Sequence, residues 1–280
     1  FISTNQTSLN LIEKAVSIYD SLSLSDFDEQ SNFRLAEIKF QFFGDLDNAF
    51  KIYSKIQKNT KNTELYINCV NRKIDILIAK GNLSGAEKFL KKEKQSIPIS
   101  NIQKQLELKN LEILFLDGDL KKIKKDINKK LLNIDKTNKY YNDMMDILAL
   151  LIPFESNSDD YQSFIKIQKH IKQNQRMQAI EELNRLIEIT TNDIIIDLTI
   201  YQLAYLNLLQ KEYEIAFQYL KKINHDTIYQ ERAQILISEI YDYILLDTEQ
   251  AIGEYIKFLD TYPLSIYYDE VRMRLRKITS

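Results

Sequence analysis

Glycine and proline are both scarce, 5 and 3 residues in a chain of 280. A β-rich or α/β protein of this length needs many turn residues, so the shortage argues for helices joined by short polar loops. Cys69 is the only cysteine, which excludes an intrachain disulfide and argues against a thiolate-based metal site. Neither sign of charge predominates: 38 Lys+Arg stand against 40 Asp+Glu, a net charge of −2 and no electrostatic footprint for nucleic acid. Long apolar runs are missing too. The longest, Met144 to Ile152, holds Asp146, ends at Pro153 and is too short to span a bilayer. Tryptophan is absent, so aromatic packing rests on 17 Tyr and 13 Phe. There are two histidines. His170 sits mid-helix and His225 just after a helix, and neither has a metal-ligand partner at recognised spacing, so both read as structural or surface residues. No His-Glu-x-x-His, Gly-x-Ser-x-Gly or Gly-x4-Gly-Lys-Ser/Thr occurs, and no two glycines are spaced for a phosphate loop.

An internal repeat is present. Aligned on the residue that opens the packed face of every second helix, the chain has anchors at Ala15, Ala49, Ala86, Ile123, Ala179, Ala216 and Ala251. The separations are 34, 37, 37, 56, 37 and 35 residues. Four residues past the anchors stand Tyr19, Tyr53, Leu90, Ile127, Leu183, Leu220 and Tyr255, and three further on stand Leu22, Ile56, Leu186, Ile223 and Phe258. This i, i+4, i+7 set is one face of a helix. Phe43-Gly44-Asp45, Lys80-Gly81-Asn82 and Asp117-Gly118-Asp119 precede three anchors as turns: Gly ends one helix, and Asp or Asn caps the next. Asp117-Gly118-Asp119 lacks the ligand spacing of a calcium loop.

Ser8–Leu22 reads as an unpartnered helix. Ser25-x-x-Asp28 leads into a helix around Phe33–Phe43, followed by Asp45–Lys58, Glu64–Lys80 and Ser84–Gln95. A Ser100-x-x-Gln103 capping box opens a helix to about Leu116, and Asp119–Asn133 completes the pair. The 56-residue interval holds an extra amphipathic segment, Lys139–Ile152, and a loop-like stretch from Phe154 to Asp160. Asp159-x-x-Gln162 restarts the pattern with Tyr161–Lys172, Arg176–Glu188, Asp193–Leu209 and Glu212–Lys222. Thr227-x-x-Gln230 opens Tyr229–Leu245, and Thr248–Thr261 follows. Leu264-Ser265 caps a last helix, acidic at its start (Asp269, Glu270) and basic toward its end (Arg272, Arg274, Arg276, Lys277).

The Ala251, Tyr255, Phe258, Pro263 unit and the Gly81, Ala86, Leu90, Pro98 unit resemble the tetratricopeptide repeat (TPR) family, in which a helix, a tight turn and a second helix repeat about every 34 residues. The first helices lack most of the family's large aromatic and Leu-Gly pair, and Ile123 replaces a small anchor, so the array is TPR-like and degenerate. The resemblance implies an all-α, right-handed α-α superhelix of about six helix pairs, with an orphan N-terminal helix and a C-terminal capping helix. It would be one solenoid over 1–280, with sub-arrays 1–134 and 158–280 joined by an irregular junction 135–157. It also implies an inner groove lined by first helices: Arg34, Gln41, Asn68, Asn71 and Asp75 in the N-terminal part, and Tyr161, Gln168, Tyr201, Tyr205 and Tyr243 in the C-terminal part. The Lys/Asn/Arg set with which some members clamp a peptide carboxylate is not reproduced.

The expected function is therefore a non-catalytic scaffold or adaptor that binds proteins or peptides, with no cofactor, no metal, no nucleic acid and no transmembrane segment. The alternative is a peptide-responsive TPR regulator. The Tyr262-Pro263-x-Ser265 and Asp269-Glu270-Val271-Arg272 pattern also resembles repeats of bacterial envelope TPR proteins, implying a periplasmic or outer-membrane assembly. The chain starts at Phe1 without Met, so a fragment or processed form is expected, any signal or lipidation cysteine lying outside it. Lys121, Lys122, Lys124, Lys125, Lys129 and Lys130 share one helix, and Lys88, Lys91, Lys92 and Lys94 lie on the second helix of the preceding pair. Together they suggest a basic strip for an acidic partner or anionic lipid heads, set against a plain solvated face.

Overall fold

In a computed structural model of the chain, the described residues are Lys14, 16–19, 28–96 and 100–279. Of the expected Ser8–Leu22 helix, Lys14 and 16–19 are described and helical. Ala15, Leu22, Ser25, Pro98 and the side chains of the Ser100-x-x-Gln103 box lie outside the described residues.

All regular structure among the described residues is helical. The α-helices are α1 (Glu29–Gln41), α2 (Leu46–Asn59), α3 (Thr63–Ala79), α4 (Leu83–Ser96), α5 (Ser100–Asp117), α6 (Leu120–Leu131), α7 (Lys139–Leu151), α8 (Ser158–Lys172), α9 (Arg176–Ile189), α10 (Asp193–Leu209), α11 (Tyr213–Leu220), α12 (Ile228–Glu239), α13 (Thr248–Thr261) and α14 (Tyr268–Thr279). A 3-10 turn (Ile152–Phe154) follows α7, and a π-helical turn (Ile240–Leu245) prolongs α12. Contacts divide the chain into two compact units, breaking between Ala149 and Leu150, with Lys172–Asn174 grouped with the first. In the first, α1 to α6 each pack on the next, and α3 also meets α5. In the second, α9 to α14 each pack on the next, and α10 also meets α12. Lys166 of α8 pairs with Glu182 of α9 at 2.7 Å. Packing in sequence order is that of an all-α solenoid.

The repeat register is visible in the backbone. Positive φ occurs at Gly44 (65°), Gly81 (72°) and Gly118 (88°), and again at Asn174 (57°), Lys211 (65°) and Leu246 (55°). Each stands five residues before an anchor. The next N–H turns back to a carbonyl of the finished helix, as in Asn82 N to Leu77 O (2.9 Å), Gln175 N to His170 O (2.8 Å) and Glu212 N to Asn207 O (3.0 Å), the 6→1 bond of a Schellman end. The anchor N–H then closes the first turn on the cap carbonyl, from Ala49 N to Asp45 O at 3.1 Å through Ala251 N to Asp247 O at 2.9 Å. Asp45, Asn82, Asp119 and Asp247 cap with their side chains; Gln175 and Glu212 do not. Ala49, Ala86, Ile123, Ala179, Ala216 and Ala251 are all 0% exposed, and their i+4 partners, Tyr53 through Tyr255, are buried with them.

At the i+7 position the α3–α4 pair departs from the apolar pattern. Glu93 is buried there and accepts from Tyr66 Oη (2.7 Å) and Gln57 Nε2 (3.0 Å). Lys73, also buried, sits between the Phe50 and Phe89 rings (4.8 and 4.6 Å to the centroids) and donates to Gln57 Oε1 at 2.9 Å. A buried ammonium is tolerable because the rings and the nearby Glu93 carboxylate replace the water it loses.

A second device recurs across hairpins. A hydroxyl after the second helix donates to a carboxylate in the first turns of the first: Thr60 to Glu29, Thr190 to Asp160 (2.6 Å), Thr227 to Asp197 (2.7 Å) and Ser265 to Glu231 (2.6 Å). The same hydroxyl accepts from the N–H two residues on, in Asn62, Asn192, Tyr229 and Tyr267. Each bond pins the exit of a hairpin to its entrance.

Several expected boundaries move. Asp28 caps α1, taking the N–H groups of Gln30 and Ser31. Helix α8 starts at Ser158, and Asp160 is taken up by Thr190. Phe154 is no loop residue: it is fully buried, against Tyr161 and Phe164.

Candidate functional site

In the first unit, the expected groove residues lie on first helices whose charges are largely satisfied among themselves. Glu37 of α1 receives Arg72 of α3 through Nε (2.7 Å) and Nη2 (3.0 Å), the bidentate form that gives Arg–carboxylate pairs their strength. Arg72 Nη1 also reaches Asp75 Oδ2 at 3.2 Å, and Lys109 of α5 bridges Asp75 and Glu112. Burial disfavours the Lys109 charge, but Asp75 and Glu112 outweigh it and hold the ammonium above the ordinary lysine range. Asp75 is thus a rung linking α3 to α5. Gln41 donates to Glu37 at 2.6 Å. Asn71 is half-buried, and its Oδ1 has no hydrogen-bond partner among the described residues. Arg34 and Asn68 line one recess of about 290 Å³ between α1 and α3, with Phe33, Asn62 and Glu64.

The second unit carries the better-formed site. A pocket of about 360 Å³ is walled by Tyr201 of α10, Arg232, Ile235, Leu236 and Glu239 of α12, and Tyr243 of the π-helical turn. Tyr255 of α13 and Tyr267, Glu270, Val271 and Arg274 at α14 complete it. π-turns inside helices are frequent at functional sites. Here the turn carries Asp242, whose carboxylate accepts from Arg274 Nε and Nη2, both at 2.6 Å, and from Tyr255 Oη at 3.0 Å. The Arg274 bonds hold Asp242 below the ordinary aspartate range, against the opposing effect of burial. The Arg274 guanidinium lies 4.6 Å from the centre of the Tyr243 ring. The Arg232 guanidinium lies 5.8 Å from the centre of the Tyr229 ring. Glu239 has an exposed edge, yet partial desolvation, Glu270 and Asp242 raise its carboxyl above the usual glutamate range.

Of the tyrosines expected to face a groove, Tyr201 and Tyr243 come together in this pocket, and Tyr205 is exposed one turn along α10. Tyr161 does not belong with them. It is 1% exposed, its ring 5.6 Å from that of Phe154, because the 3-10 turn over residues 152–154 buries Pro153 and Phe154. Gln168 is engaged by Gln202 at 3.0 Å. Arg232, Glu239, Glu270 and Arg274 were not anticipated. A charged residue on a helix face carries no local mark of the pocket it lines, since its neighbours there come from other helices.

The lysine run on α6 is partly neutralised. Lys122 reaches Asp117 at 3.1 Å; Lys130 reaches Glu107 at 3.1 Å and also Asp126, and Lys94 of α4 joins the same Glu107. Lys121, Lys125 and Lys129 are exposed, and Lys124 is half-buried. His170 Nδ1 meets Gln175 at 2.6 Å, while His225 meets a buried Asp197. No helix is long and apolar enough to cross a membrane, and no group of three metal-ligating side chains occurs among the described residues. A scan against protein-family models and a search of curated proteins both returned no match.

Proposed function

We propose that the chain is a TPR-like solenoid, wound as a right-handed superhelix, that acts without catalysis as a scaffold or adaptor within a larger assembly. The carrying observation is the tyrosine-rich pocket shared by α10, α12 and α14. Stacked hairpins present their first helices side by side, and a recess across several of them fits an extended segment of another protein. Tyrosine suits such a surface because it offers large contact area at small side-chain entropy cost. The six-fold recurrence of left-handed turn and buried anchor supports the repeat reading. A photo-crosslinking residue placed at Tyr205 or Tyr243, with Lys257 on α13 as control, tests it in the native cell. The first two positions are expected to give adducts with other proteins that the control does not. Equal labelling at all three, or no adduct at any, would overturn the reading.

A further inference from the structure

We infer that the α10–α12–α14 pocket seats a basic side chain, arginine or lysine, presented by a bound protein segment; this deepens the scaffold reading and rests on it. The charges decide it. Arg274 is committed to Asp242 through two bonds of 2.6 Å. Glu239 and Glu270 therefore line the cavity with no ion-pair partner among the described residues. One guanidinium stands against them, that of Arg232, and it lies over the Tyr229 ring. The pocket thus holds an excess of carboxylate at its exposed rim, and a cation entering it relieves that excess. The walls suit the same guest. Tyrosine rings attract a cation over their faces, and Ile235, Leu236 and Val271 offer apolar surface to its methylene stem. At about 360 Å³ the cavity accommodates a long side chain.

The probes are acetyl-Gly-Arg-Gly-amide, its lysine counterpart and its citrulline counterpart, which keeps the shape of arginine without the charge. They are titrated into the full chain with carbon-13-labelled tyrosine rings and followed by NMR. The arginine and lysine peptides are expected to shift the Tyr201, Tyr243 and Tyr267 signals and to bind more tightly than citrulline. Glu239→Gln and Glu270→Gln are each expected to weaken arginine binding about fivefold, the loss of one partly exposed ion pair. Both replacements are isosteric, and an unchanged melting temperature confirms the fold. Citrulline binding as tightly as arginine, tyrosine signals that do not move, or a double variant that binds like the parent would each overturn the inference. Crosslinks from Tyr243 separate the two claims: adducts undiminished in the double variant leave the scaffold standing and remove the basic-side-chain seat, whereas adducts lost only in that variant support it.

Discussion

Asp197 has no exposed side-chain surface, and a buried carboxylate needs partners. It takes two from the α11–α12 connection, His225 Nδ1 and Thr227 Oγ1, each at 2.7 Å. Nε2 of His225 lies 3.5 Å from Asp193. The hydrogen bond that His225 donates to Asp197 is the largest cause raising the imidazole above the ordinary histidine range; desolvation opposes it, and the Asp197 and Asp193 charges add to it. The folded pKa is therefore above the unfolded value of about 6.5. The stabilisation is fully present below that value and lost as pH rises through the folded pKa. His225→Asn keeps a donor without the charge. The gap in melting temperature between parent and variant is expected to be widest below the ordinary histidine range and to narrow as pH rises above it, read from thermal unfolding across a pH series. A gap that does not change with pH would contradict a charged His225 in the fold. The sequence presents this histidine as isolated because its partner lies 28 residues away, inside the apolar run from Ile194 to Leu198.

At the scale of the element, the hairpins α1–α2, α8–α9, α10–α11 and α12–α13 are closed at both ends. The sharp turn was readable where glycine marks it, at Gly44, Gly81 and Gly118. Asn174, Lys211 and Leu246 adopt the same left-handed backbone without that mark, their cost of about 1–3 kcal/mol offset by the helix-end bonds they complete. The hydroxyl–carboxylate latch was not readable at all. Thr190 and Asp160 are 30 residues apart, and each has an ordinary local role as a loop or helix-start residue. Thr190 is buried, and its hydroxyl serves both Asp160 and the Asn192 N–H. Thr190→Val keeps the shape and removes both bonds, leaving a half-buried carboxylate without its donor. Urea unfolding is expected to show a loss of about 2 kcal/mol, typical of a hydrogen bond to a charged group. In a double-mutant cycle with Asp160→Asn the two changes should be non-additive. Strict additivity would mean that the latch does not couple entrance to exit.

For the whole molecule, the register and the all-helical class were legible because both rest on packing residues that repeat along the chain. The pocket was half legible: Tyr201 and Tyr243 came from the groove that the repeat resemblance implies, but its charged rim depends on how α12 and α14 meet. The last helix illustrates the same dependence. On α13, Ala251, Tyr255 and Phe258 form a buried face, completed from α14 by Val271 with Leu275 and Ile278 packed against it. Asp269, Arg272, Arg276 and Lys277 of α14 are exposed. Helix α14 thus covers the apolar face of α13 and carries these charged side chains away from it. A chain stopped after Pro263 loses that cover. Exposing Tyr255 and Phe258 forfeits about 1.5–3 kcal/mol each, on the order of 5 kcal/mol together, a large share of the 5–15 kcal/mol that holds a typical domain folded. The shortened chain is expected to melt at a lower temperature than the parent. It should also self-associate through the uncovered α13 face, seen as concentration-dependent mass in light scattering. Adding Phe258→Glu to it should restore a monomer without restoring the melting temperature, since the charge blocks pairing of two apolar faces but rebuilds no core. A shortened chain that stays monomeric and melts like the parent would show that α14 is not what protects the apolar face of α13.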